Sequence, residues 1–109
     1  MNKKKINELR AELLGLVNRH YTEIYFNQST ARLEHAIGIL IHTEAPSSIA
    51  VIKHTTQCIG YICALKDSKN VSAEICTEFI NVLTDIREEA ENELSSIMTV
   101  PIAFVKPEE

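Results

Sequence analysis

Four histidines, three cysteines and a late run of glutamates are the residues of this chain best suited to chemistry. His35 and His42 are one heptad apart and share a helix face turned away from Leu33, Ile37 and Leu40. A metal could sit there only if other helices supplied the remaining ligands, and no HxxxH or ExxH spacing supports that. His20 and Glu23 lie within one turn of each other, and His54 borders a polar strip of its helix. All four read as ordinary exposed or half-buried histidines, so no metal or cofactor is expected. Cys58, Cys63 and Cys76 are odd in number and lack CxxC spacing, which excludes a disulfide framework or zinc knuckle. They read as reduced thiols, and the two on apolar stripes, Cys58 and Cys63, as small hydrophobes.

Glu88, Glu89, Glu91 and Glu93 could hold magnesium, as clustered carboxylates do in helical nucleotide pyrophosphohydrolases. An acidic run late in a helix is more simply a solvated face. A histidine phosphotransfer domain would have the right length, but His35-Ala36-Ile37-Gly38 lacks the lysine such domains carry after their histidine. Nucleophilic catalysis needs a base beside Ser or Cys, and no glycine-rich elbow presents one. The expectation is a protein that is not an enzyme.

The elements that would position these residues are helical. At 109 residues the chain is long enough for one domain with its own core. Three glycines, three prolines and no tryptophan suit a helical composition. The net charge of -4 argues against nucleic acid as a partner, because phosphate binding needs a basic field. The charge is unevenly spread: Lys3, Lys4, Lys5, Arg10 and Arg19 open the chain, while Asp85 and the four glutamates fall late. No long apolar run follows the first lysines, so neither a signal peptide nor a membrane span is expected, and the reading is cytoplasmic.

Ser47–Leu65 is the organising stretch. Ile49, Ile52, Thr56, Ile59 and Cys63 form one stripe at helical period, and Val51, Thr55, Cys58, Ile62 and Leu65 a second. Two stripes predict a helix covered on two sides. Pro46 and the serines after it mark its start, since a serine hydroxyl accepts from first-turn N–H groups.

Ile6, Leu9, Leu13, Leu16, Val17 and Ile24 predict a helix over about 5–25, with Gly15 weakening it by roughly 1 kcal/mol. Leu33, Ile37, Leu40 and Ile41 predict a second over 31–43, closed ahead of Pro46. The central helix covers 48–66 and ends in Asp67-Ser68-Lys69-Asn70, with Asn70 in the left-handed position. Ser72 caps a fourth helix over 73–98, with Val71 stapled onto Cys76. Ile75, Phe79, Val82, Leu83, Ile86, Ala90, Leu94 and Ile97 form its buried side. Residues 99–109 are expected as a non-helical apolar tail. The fold class is therefore all-α: an antiparallel up-down-up-down four-helix bundle, monomeric or weakly dimeric.

From Ser48-Ile49 through Ile86 the layout resembles a known family. An apolar helix with Tyr61-Ile62 leads into Ala64-Leu65-Lys66-Asp67-Ser68-Lys69-Asn70-Val71-Ser72, then a long helix carrying Phe79-Ile80-Asn81 and Leu83. This is similar to the second half of the immunity proteins that protect producers of pediocin-like bacteriocins, especially the enterocin A immunity group. Their fold is a small cytosolic four-helix bundle with a segment beyond the last helix, and the Met98, Val100, Pro101 region is similar in kind.

The resemblance implies a non-enzymatic self-protection protein that recognises, from the cytosol, a mannose-permease receptor trapped by its bacteriocin. Specificity would reside in the fourth helix and tail. The expected contacts are Ile102, Phe104 and Val105, with Asp67, Lys69 and Asn70 of the turn beside them. One departure is charge: this chain is acidic where these proteins are commonly basic, which argues against electrostatic association with an anionic membrane. The alternative is a small acidic adaptor, antitoxin or phage-type inhibitor that binds a basic soluble protein through Glu88, Glu89, Glu91 and Glu93.

Overall fold

The computed structural model describes residues 3–27, 31–44 and 46–105, leaving aside the side chains of 25–27, 31–32 and 97–105. It is an all-α antiparallel bundle of four helices: α1 (Lys3–Arg19), α2 (Ala31–His42), α3 (Ser48–Asp67) and α4 (Ala73–Val105). Each helix packs on the next, and α1 closes the square against α4. Ion pairs fix the direction of that last contact. Lys5 meets Glu89 at 3.9 Å near one end, and Arg19 meets Glu78 at 3.3 Å near the other.

The stripe read from the first segment is the buried face of α1: Ile6, Leu9, Leu13, Leu16 and Val17. The single helix expected over 5–25 is not continuous, however. Past Arg19 the regular ladder gives way to a π-helical turn over Thr22–Asn27. Ile24 is nonetheless fully buried.

Capping chemistry sets the starts of both α3 and α4. The Ser47 side chain accepts from the Ala50 N–H at 3.2 Å, and Ser72 accepts from the Ile75 N–H at 3.3 Å. Val71 and Cys76 are buried together across the second cap, the hydrophobic staple expected there. The end of α3 differs from expectation in one residue. Asn70 donates to the Leu65 carbonyl at 3.0 Å and Lys69 to the Lys66 carbonyl at 3.1 Å, the paired bonds of a Schellman motif. That motif puts its left-handed residue directly after the cap. Ser68 is the cap, so Lys69 rather than Asn70 takes the positive φ of 61°.

Of the tail expected as non-helical over 99–109, residues 99–105 are helical instead. α4 continues through Pro101 to Val105. Proline's fixed φ is compatible with a helix, but in a helix interior it forfeits the bond to the carbonyl four residues back and its ring crowds that carbonyl, at a cost of about 3 kcal/mol. Residues 106–109 lie outside the described residues.

The core joins Leu13, Ile37, Ile62, Phe79, Leu83 and Ile86, all at 1% exposure or less. α3 is covered less widely than two stripes predict. Val51, Thr55, Cys58 and Ile62 are buried, whereas Ile52, Ile59 and Cys63 are half-buried, Thr56 is exposed and Ile49 is 67% exposed. The bundle's geometry is the reason: α3 rests mainly on α4 and α2, and the rest of its circumference faces outward. Thr55 tolerates full burial because its hydroxyl donates back to the Val51 carbonyl at 2.7 Å.

Candidate functional site

Asp67, Lys69 and Asn70 stand exposed on the α3–α4 turn. Schellman bonds before them and the Val71–Cys76 staple after them hold the turn as a fixed polar knob. The turn and the apolar end of the chain do not form one surface. Because α4 runs unbroken from Ala73 to Val105, the two lie at its opposite ends, about 48 Å apart at 1.5 Å per residue. A tail lying beside the turn would have needed the chain to fold back after residue 98. The side chains of Ile102, Phe104 and Val105 lie outside the described residues.

α4 outruns its neighbours. At the level where α3 begins, the Ser48 hydroxyl donates to Glu93 of α4. The antiparallel partner thus stops at Glu93, while α4 goes on through residues 94–105, a projection of about 18 Å. In sequence that projection carries Leu94, Ile97, Met98, Val100, Ile102, Phe104 and Val105.

The four late glutamates do not make one acidic face. Glu89 turns to Lys5 of α1, and Glu93 accepts from Ser48 at the start of α3, which has no acidic residue in its own first turn. Glu91 faces Arg87 on its own helix at 3.9 Å, and Glu88 is exposed. Two of the four carboxylates are therefore spent on holding helices together.

The histidines are dispersed differently from their sequence neighbours. His20 faces Glu78 of α4, with Nε2 3.5 Å from the carboxylate, rather than Glu23, and its ring is tilted against Phe79 at 6.2 Å. His35 of α2 and His54 of α3, nineteen positions apart in sequence, line one groove. Among the described residues, no three His, Cys, Asp or Glu side chains gather as a metal site. Cys58 and Cys76 are buried and Cys63 half-buried, all with free thiols. Burial pushes the Cys58 thiol up to about 12. Cys76 is also raised, chiefly by burial, with Lys66 opposing the shift and Cys63 adding to it.

Arg10 has a role that no local pattern announces. Its guanidinium donates to the carbonyls of Leu40 at 2.6 Å, Ile41 at 2.8 Å and Thr43, closing the C-terminus of α2 from α1. No helix among the described residues is long and apolar enough to cross a membrane. Comparison with protein-family models, curated proteins and solved structures found no match.

Proposed function

We propose that this chain is a non-enzymatic immunity protein of the pediocin-like bacteriocin kind. It acts from the cytosol by binding a bacteriocin-trapped receptor through the C-terminal end of α4. The observation that carries this reading is the length of α4, which continues through residues 94–105 past the Ser48–Glu93 contact with an apolar sequence. A helix that outlasts its bundle offers apolar side chains beyond the core they would otherwise fill, and helix-in-groove recognition uses such a segment. Ile102, Phe104 and Val105 are the contact residues, with Phe104 as the aromatic anchor. The Asp67–Asn70 turn, at the far end of α4, is outside this surface. The acidic-adaptor alternative has less to stand on, since Glu89 and Glu93 are engaged within the bundle.

The test is protection of a strain sensitive to pediocin-like bacteriocins, challenged with a panel of them. Expressing the full chain should raise the inhibitory concentration for at least one member. Truncation after Thr99 and Phe104→Ala should abolish that protection, while Lys69→Gly keeps it. Protection by none of the panel, or full protection by the truncated chain, would refute the reading. If truncation is harmless and Glu88→Lys with Glu91→Lys destroys activity, the acidic face is the interface instead.

A further inference from the structure

We infer that Cys63 and Cys76 are a paired oxidation site, at which a hydroperoxide converts the two thiols to a disulfide that clasps the α3–α4 hairpin. The pairing follows from which flanks of the two helices meet. The flank of α3 bearing His54, Gln57, Tyr61 and Ala64 borders α2. Ile52, Ile59 and Cys63, all half-buried, lie on the other side of the buried Val51, Thr55, Cys58 and Ile62 stripe and so face α4. On α4, Glu78 and Glu89 mark the α1 flank through their ion pairs. Buried Cys76 and half-buried Ile80 lie across the Phe79 and Ile86 stripe from them, toward α3.

The levels agree as well. Ser48 meets Glu93 where α3 begins. Fifteen residues along α3 lead to Cys63, and fifteen back along α4 lead to Glu78, about 3 Å from Cys76 along the axis. Packed helix axes lie roughly 8–10 Å apart and Cα atoms stand about 2.3 Å off each axis, so seam residues at one level come within bridging range. The two side chains also sense each other: burial raises the Cys76 thiol, Lys66 opposes that shift and Cys63 adds to it. Cys58 is left out. Its level on α4 is near Leu83, about 10 Å along the axis from Cys76.

Exposure sets the order of events. Cys63 is half-buried, whereas Cys76 is sealed and its thiol donates to the Val71 carbonyl at 3.9 Å. The Cys63 thiolate attacks a peroxide oxygen, the O–O bond breaks, and the departing hydroxide takes up the thiol's proton as water. Cys63 is then a sulfenic acid. Cys76 attacks its sulfur, the S–S bond forms as S–O breaks, and the second hydroxide leaves with the Cys76 proton as water. Lys66 is the cation placed to favour the Cys76 thiolate in that step. Two thiols are oxidised, and one peroxide is reduced to two waters.

The pair lies near the turn, away from the end of α4, so its test is independent of the protection assay. The reduced full chain would be treated with hydrogen peroxide, unfolded, alkylated and mapped by mass spectrometry. A linked Cys63–Cys76 peptide should appear with Cys58 alkylated, and dithiothreitol should reverse the link. Formation should be about tenfold faster in the folded chain than in urea, because the fold holds the two sulfurs together. Cys76→Ser should leave Cys63 as a sulfenic acid that dimedone traps, and Cys63→Ser should suppress thiol loss at Cys76. The inference is overturned if no intramolecular link forms, if the link includes Cys58, or if chains join through Cys63 into dimers. It is equally overturned if the link forms as fast in urea. If either serine variant does not fold, the wild-type map decides alone.

Discussion

Arg10 reaches from the second turn of α1 to the end of α2, where its Nε donates to the Leu40 carbonyl at 2.6 Å. The last carbonyls of a helix have no partners within it, and the negative end of the dipole sits there. A forked guanidinium answers both needs, with Nη2 taking the Ile41 and Thr43 carbonyls. Arg10→Met should lower the unfolding free energy by about 2–3 kcal/mol, because several charge-assisted bonds are lost at once. Arg10→Lys should recover only part, since an ammonium cannot fork. Denaturant midpoints at unchanged slope measure both, and a loss below about 0.5 kcal/mol for Arg10→Met would show the contact to be dispensable.

Lys69 holds a φ of 61°, a region in which a side chain costs energy and glycine does not. Lys69→Gly should therefore stabilise the protein by up to about 1 kcal/mol, and Lys69→Val should destabilise it. Thermal melts of the two variants should move in opposite directions. A common direction would mean that the turn is not held in this conformation.

Cys58 couples stability to alkaline pH. Its thiol is raised from 9.0 to about 12 by burial, so the folded state holds its proton more tightly than the unfolded state does. The contribution is complete below pH 9 and is lost as pH rises through the folded value, at about 1.4 kcal/mol per unit. Cys58→Ala should remove this component, so the stability gap between wild type and variant should narrow above pH 9. A constant gap up to the onset of alkaline unfolding would contradict it. At neutral pH, Cys63 should be the first thiol to react with a maleimide.

Glu93 and Glu88 are both late glutamates but occupy different surroundings. Glu93→Gln replaces the charged acceptor of Ser48 at the start of α3, whereas Glu88 is exposed. The melting temperature should fall for Glu93→Gln and stay unchanged for Glu88→Gln. Equal effects would mean that the acidic run behaves as one solvated face after all.

Much of the bundle was legible in its stripes. Ile6, Leu9, Leu13, Leu16 and Val17 repeat at the helical period and are buried together, and Ser47 and Ser72 cap the helices they precede. The candidate site was far less so. The turn residues and the apolar end were expected side by side, but an unbroken α4 holds them at opposite ends. The groove joins His35 to His54, residues unremarkable when read one at a time. Sequence marked the polar strip of α3 but carried no sign of what would stand across from it.

Local periodicity and capping chemistry determine that this chain is all helical, where most of its helices start, and which face of α1 is apolar. Those properties act between residues three or four apart, so they are written in adjacent letters. Only the tertiary structure decides that Val51, Thr55, Cys58 and Ile62 are the covered stripe of α3, that Arg10 closes α2, and that Glu93 serves α3. Each of these depends on contacts between residues that are distant in the chain, or on the lengths of neighbouring helices. A period describes one helix, whereas burial is a relation between several.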